Sequence, residues 1–430
     1  MSRFARIGAL TAAAALATAP LTLAPVAARA QAAADAVPAP APALPLKHAP
    51  QPTTAAITAA DLMTRLYIFA DDSMMGREAG TLGNVKGTDY IASEVRRFGL
   101  KPAGENGTYF QTLPFKTRSI DPTSAIALGG TGAPARLVAG TDWAAASNKS
   151  VSLHDMPVVY GGTLGDSASM IAADQTAGKL VVFRFGNPRA ASVLRRGFGA
   201  LYPKAAAVAI FGEVLDQNRV VSRFARPQQF VDDPSKSTGQ PDGPTTLIVT
   251  ATAAGQMFTA PLEGLAPGTP GRPATLDLKL SIVPVPFPAR NVVAILPGRD
   301  PALAGEYVAI GGHNDHIGMT ARAVDHDSIR IFNHLVRPEG AEDQGKEATP
   351  EQQARVNAML ADYRKAHPGS MRADSISNGA DDDGSGSVSV LEVAEKFASL
   401  KGDARPRRSI LFVWHVGEEK GLLGSEYYTD

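Results

Sequence analysis

With 430 residues, 44% of them apolar and 20% charged, the chain has enough material for large buried cores and for two domains. Lysine and arginine number 42 and are matched by 42 aspartates and glutamates, so no charge excess points to nucleic acid or to an anionic membrane surface. Cysteine is absent, which excludes disulfides, thiolate zinc sites and a cysteine nucleophile.

At the N-terminus Arg3 and Arg6 precede an apolar run from Ile7 to Ala28, and Ala28-Arg29-Ala30 fits an A-x-A cleavage site. Residues 1–30 therefore read as an export signal; Pro20, Pro25 and the small side chains argue against a membrane anchor. The mature protein is expected in the periplasm or outside the cell, with no stable membrane insertion, and a chain of this size needs no disulfides to be stable there. Residues 31–55 are rich in alanine and proline and read as a disordered, polyproline-like tether. Folding is expected to start near Ile57, with Thr58 capping a helix through Phe69 whose apolar residues fall at helical spacing. Asp72 to Glu78 breaks that pattern, and Asn84 to Phe98 reads as a second helix ended by Gly99. This makes 56–139 the first part of one domain.

From 140 to 285 the pattern changes to short apolar strands between Gly- and Pro-rich turns: 157–160, 179–183, 207–211 and 246–249. Leu276, Leu278, Leu280 and Ile282 alternate with polar residues, as one half-exposed strand should. Arg195, Arg196 and Arg223 read as solvated surface arginines, and no catalytic role is assigned in this region.

The remainder, 286–430, carries the chemistry. A strand at 290–296 is followed by another at 306–310 that runs into Gly311-Gly312-His313-Asn314-Asp315-His316. A long, charged connection from 319 to 377 follows, with a helix at 351–363, and its length marks it as a cover or mobile loop, which makes a lid over substrate an expectation. Asp325, His326 and Asp327 in it read as an exposed turn. Next comes Asn378-Gly-Ala-Asp381-Asp382-Asp383-Gly-Ser-Gly386; three consecutive aspartates stay solvated or hold cations, because a buried unpaired carboxylate is costly. Residues 409–414 read as a buried parallel strand whose C-terminal end delivers Glu418 and Glu419. In an open α/β sheet, ligands bind at that end of the strands. One imidazole, one aspartate-rich loop and one glutamate pair gathered there suit Zn²⁺ or a similar divalent ion.

Taken in order, His-x-Asp at 313–315, Gly-Ala-Asp-Asp at 379–382 and Glu-Glu-x-Gly-Leu-x-Gly-Ser at 418–425 resemble the co-catalytic dizinc aminopeptidase family. The resemblance implies a fold of α/β class, a mixed, largely parallel sheet flanked by helices, with 140–285 similar to an inserted protease-associated domain. It implies two Zn²⁺ ions, with His313 ligating the first, Asp382 bridging both and Glu419 ligating the second. Glu418 would be the general base, Asp315 would orient His313, and Asp383 would follow Asp382 across a cis peptide bond. The implied substrates are the N-termini of peptides or proteins, with no nucleic-acid partner. His316 and His415 are left to structural roles, and Asp381 to a hydrogen-bonded loop. Such enzymes take a further Asp and His ligand downstream of the Glu-Glu pair, whereas this chain ends eleven residues after Glu419. The expectation is therefore an incomplete site, with weak metal binding and little turnover. A glutaminyl-cyclase-like acyl transfer and a non-catalytic binding protein on the same fold are the alternatives.

The residue types make chemical sense on their own. Amide hydrolysis at neutral pH needs an activated water, and two metals roughly 3.5–4 Å apart can hold it and polarise the carbonyl. An unligated carboxylate must then move the proton, so two neighbouring glutamates need different roles.

Overall fold

The computed structural model describes residues 48–430 apart from 131–134, 187–188, 191–192, 195–196, 218, 234–242, 344 and 370–372. The signal 1–30, most of the tether, Arg195 and Arg196 lie outside the described residues. Among the described residues no helix is long and apolar enough to cross a membrane. Two compact units emerge, one of 47–319 with 376–430 and another that contains 320–375.

In the larger unit, α1 (Ala59–Phe69) is capped by Thr58, whose hydroxyl accepts the Asp61 N–H at 3.1 Å. The helix α2 (Leu82–Arg97) follows. Both pack beside α3 (Gly386–Ser399), with Phe69, Ile91, Val95, Leu391 and Ala394 fully shielded from water. An ionic cluster locks these three helices. Arg65 of α1, itself fully buried, pairs with Glu94 of α2 and with Glu392 and Glu395 of α3. Thr53 joins it by donating to Glu395 at 3.0 Å, and His48 lies against Tyr67. The end of the tether, 48–54, is thus drawn onto the helices by polar partners that composition does not reveal.

The central sheet of this unit holds β1 (Lys101–Pro102), β2 (Phe110–Leu113), β3 (Ala289–Leu296), β4 (Tyr307–His313) and β5 (Ser409–His415). Its order is β1-β3-β5-β4, with β2 also on β3. The sheet is mixed, but it departs from the expected parallel majority: β4 with β5 is parallel, while β3 pairs antiparallel with β1, β2 and β5. The cause is order. β3 and β4 are consecutive in the chain, yet β5 inserts between them, antiparallel to one and parallel to the other. Because β4 and β5 run in register to His313 opposite His415, the two motif-bearing loops leave the sheet side by side. Trp414 at the end of β5 is buried and donates its indole N–H to the Ser387 carbonyl of α3 at 3.0 Å, and Ser387 donates its hydroxyl to the His313 carbonyl at 2.6 Å.

Between β2 and β3 lies a β-rich region with a shared core around Trp143, Leu180, Leu247 and Leu276. One five-stranded sheet runs in the order 143–145, 245–249, 207–211, 180–184, 158–163, and all but its first pairing are parallel. Two antiparallel sheets complete the region and draw in strands as early as Phe115–Ile120. The single alternating strand expected through Ile282 is two strands. Ala274–Leu278 and Leu280–Pro284 part at Lys279 into different sheets, with Leu276 and Leu278 buried and Ile282 exposed. Lys279 breaks the run because its carbonyl is taken by Asp121 and Ser124 instead of a ladder partner.

The 320–375 unit has its own small core of Ile331, Val336, Val356, Met359 and Tyr363 between helices His326–Val336 and Pro350–Ala366. Asp325 is not in an exposed turn. Its carboxylate caps the first helix by accepting the Asp327 and Ser328 N–H groups, and Asp327 is buried. Thr349 and Gln352 form a capping box on the second helix, whose first residue, Pro350, sets the first turn.

Replacing Arg65 with Met would leave Glu392 buried without its cation, and the three glutamates facing one another. The full chain is expected to lose about 3–5 kcal/mol in urea unfolding. A loss under about 1 kcal/mol would show that the cluster does not hold the helices together.

Candidate metal centre

Three loops converge at the C-terminal ends of β4 and β5. The first leaves β4 at His313, the second is the aspartate loop before α3, and the third follows β5. The aspartate loop owes its shape to buried Arg77, which reaches it from the segment after α1. Arg77 donates through Nη1 to the carbonyls of Phe69 at 2.8 Å and Asn378 at 2.7 Å, and through Nη2 to Gly379 at 2.8 Å. Its guanidinium also stacks 4.2 Å from the Phe69 ring centroid. Burial pulls this guanidinium down to about 10, against the nearby charges of Asp315, Asp383 and Asp382. In the sequence Arg77 falls within the break after the first helix, and a charged residue beside Gly76 and close to Gly80 is the available signal.

The bond between Asp382 and Asp383 is cis. Asp383 turns inward, and its carboxylate accepts the His313 N–H at 2.9 Å. Two glycines make room for it: a Cβ on Gly312 would lie 2.7 Å from Asp383 Oδ2, and one on Gly386 would lie 1.9 Å from Oδ1. Burial pushes the Asp383 carboxyl up, with Asp382 adding to the rise, against the pull of the His313 N–H and imidazole.

Asp382 points the other way and is largely exposed. His313 Nε2 lies 3.2 Å from Asp382 Oδ1 and 3.9 Å from Glu418 Oε2. On its other side His313 Nδ1 is 3.1 Å from the Asp315 carbonyl and 3.7 Å from its carboxylate. A carbonyl only accepts, so Nδ1 carries the proton and Nε2 is the ring nitrogen presented to Asp382. Asp315 thus orients His313 chiefly through its backbone. Its fully buried carboxylate instead accepts the Glu418 N–H at 3.2 Å, leaving Oδ2 unpartnered among the described residues. Burial pulls the His313 imidazole down, but Asp315, Asp383 and Glu418 outweigh it and push it up to about 9.

His316, given only a structural role from sequence, stands at the other end of the cluster. Its Nδ1 donates to Glu419 Oε1 at 2.6 Å. His316, Asp382 and Glu419 each offer a ligand atom within 4.8 Å of the others. Burial, reinforced by Asp382, pushes the Glu419 carboxyl up, while His316 draws it back. Of the five residues singled out from sequence, the structure brings His313 to Asp382, Asp382 to Glu419, and Glu418 and Asp315 alongside His313. The signal for His316 was its place three residues beyond His313 on one turn. His415 is kept apart: burial pulls its imidazole down, and its ring lies against Tyr428 at 5.6 Å. Asp381 stays in the loop, accepting from Ser385.

The donor set fits divalent zinc: imidazole nitrogen with carboxylate oxygen, two carboxyls, Asp383 and Glu419, pushed up chiefly by burial, and an orphaned buried oxygen on Asp315. Comparison with known proteins bears on this arrangement. Residues 361–430, which hold the aspartate loop, α3, β5 and the glutamate pair, match the model of Peptidase family M28. The match to that family is confined to these 70 C-terminal residues. Over 79 residues it is 37% identical to leupeptin-inactivating enzyme 1 of Streptomyces exfoliatus, which is 17% of this chain and 18% of that protein. Over 78 residues it is 36% identical to aminopeptidase Y of Saccharomyces cerevisiae, 16% of this chain and 14% of that one. The matched stretches thus span under a fifth of these relatives' lengths. Among solved structures, the aminopeptidase from Aneurinibacillus sp. strain AM-1 aligns with a TM-score of 0.40 at 17% identity, over 86% of this chain and 65% of that one. A zinc aminopeptidase from Bacillus subtilis aligns at 0.35 and 17%, over 88% and 65%.

Arg77 holds the loop that presents Asp382. Arg77→Met would strip donors from three buried or half-buried carbonyls and is expected to cost about 2–4 kcal/mol in urea unfolding. Arg77→Lys, with a single ammonium, should recover only part of that. Equal stability of wild type and Arg77→Met would refute the assignment.

Proposed function

We propose that the chain is an M28-type peptidase, an exported, zinc-dependent exopeptidase that removes the N-terminal residue of peptides. The observation that carries the reading is the shared position of Asp382, with His313 on one side and the His316–Glu419 pair on the other. One aspartate between two donor sets suits a pair of ions: His313 and Asp382 would hold one, and Asp382 with Glu419 and the His316 imidazole the other. The aminopeptidase names of the relatives support the substrate class, and the signal-like 1–30 supports export.

When bound, zinc supplies Lewis acidity that lowers the pKa of water to about 7 and polarises a carbonyl. The chain's own residues do the rest. Glu418 lies beside His313 but outside the His316–Asp382–Glu419 group, and its half-exposed carboxylate is free to accept a proton from water. The same carboxyl then hands the proton to the departing amine. Asp315 fixes the Glu418 amide through its carboxylate, which sets where the Glu418 side chain starts. His313 keeps Nδ1–H on the Asp315 carbonyl, so Nε2 is the nitrogen that would release its proton to coordinate.

Two variants separate the roles. Glu418→Gln is expected to take up zinc like the wild type in equilibrium dialysis, yet to release leucine from leucine p-nitroanilide about 10²–10⁴-fold more slowly. Asp382→Asn is expected to weaken zinc uptake itself by about tenfold or more. Uptake indifferent to Asp382, or turnover that survives Glu418→Gln, would overturn the reading.

A further inference from the structure

A cleft of about 430 Å³ opens beside the metal centre, with Glu419 in its wall. One side is built by Glu78 and by Glu419 and Lys420; the other comes from the inserted β-rich region and includes Arg223, Arg226 and Gln228. That volume falls in the range that receives a small ligand. The two sides are fastened together, because Gln229 donates from the insertion to the Ala79 carbonyl at 3.1 Å. The turn bearing the arginines is also built: Gln228 Nε2 donates to the carbonyls of both Arg223 at 3.1 Å and Arg226 at 3.2 Å, and Arg226 N–H returns to the Arg223 carbonyl.

Charge decides what the cleft can receive. Lys420 and Glu78 cancel in an ion pair of 2.9 Å. Glu419 is engaged by His316 and belongs to the cation-binding group. Among the described residues neither Arg223 nor Arg226 has a carboxylate partner, so two guanidiniums remain uncompensated in a cleft that leads from the proposed reaction centre. Guanidinium and carboxylate match in planar, two-pronged geometry.

We propose that Arg223 and Arg226 form a carboxylate-binding subsite, so that the preferred substrates are short peptides presenting a carboxylate a few residues beyond the cleaved bond. The carboxylate comes either from the peptide's own C-terminus or from an acidic side chain. This rests on the peptidase reading and assigns the insertion a part in substrate selection.

Binding without turnover isolates the subsite from the chemistry. The 430-residue chain carrying Glu418→Gln is titrated calorimetrically, with zinc present, with two peptide pairs. The first pair is leucylglycylglycine and its C-terminal amide; the second is leucylglutamylglycine amide and leucylglutaminylglycine amide. The carboxylate member of at least one pair is expected to bind about tenfold more tightly, and the pair that shows it identifies the source. Arg223→Ala with Arg226→Ala should bring that ratio to about one, while the corresponding double lysine variant keeps part of it; both side chains are exposed, so the fold tolerates either change. Ratios of about one for both pairs, or a ratio unchanged by the double alanine variant, overturn the proposal. Failure of the peptidase reading shows elsewhere, in leucine p-nitroanilide, which carries no carboxylate and does not call on the subsite.

Discussion

Mutual repulsion among Asp315, Asp382, Asp383, Glu418 and Glu419 is the constraint to which the surrounding structure answers. Five acidic groups gathered around two imidazoles would spread apart if nothing held them, since like charges at close range disfavour ionisation of the group. The fold counters this with donors aimed at individual oxygens. The His313 N–H is spent on Asp383, the Glu418 N–H on Asp315, and the His316 ring on Glu419. Asp382 is left facing outward between the two histidines, with the half-exposed Glu418 carboxylate beside it, a concentration of negative charge that suits a cation.

These donors are accurate only because the backbone beneath them is rigid. β4 and β5 run parallel and in register, so His313 and the glutamate-bearing loop leave the sheet at the same height. Ser387 and Trp414 then tie the start of α3 to both strands, and Arg77 braces the aspartate loop from below. The Arg65 cluster holds α3 against α1 and α2. A disturbance in any of these contacts reaches Asp382 through one or two residues, so stability and site geometry are parts of one network.

The β-rich insertion adds a second surface to this network, and none of its described residues belongs to the candidate cation-binding group. Its contact through Gln229 sets the distance of the arginine turn from the site wall, and two guanidiniums with no carboxylate partner among the described residues gain a defined place. The similarity to family M28 covers the aspartate loop, α3, β5 and the glutamate pair.

Local chemistry made much of this legible in one dimension. Three consecutive aspartates, an adjacent glutamate pair and a histidine at a strand end announce a cation site, and Thr58 and the apolar spacing of 60–69 announce α1, because these signals rest on neighbours within a turn or two. What depends on residues far apart was not legible. Arg77 looked like punctuation because its partners lie about 300 positions away, and Arg65 looked like an ordinary helix residue for the same reason. The pairing of β3 with β5, the split at Lys279 and the recruitment of His316 onto Glu419 all follow from which strands meet in space. Sequence by itself determined which side chains are present and how each segment folds locally; tertiary structure alone decided which oxygens and nitrogens face one another, because that choice is made by packing between segments whose spacing along the chain carries no trace of it.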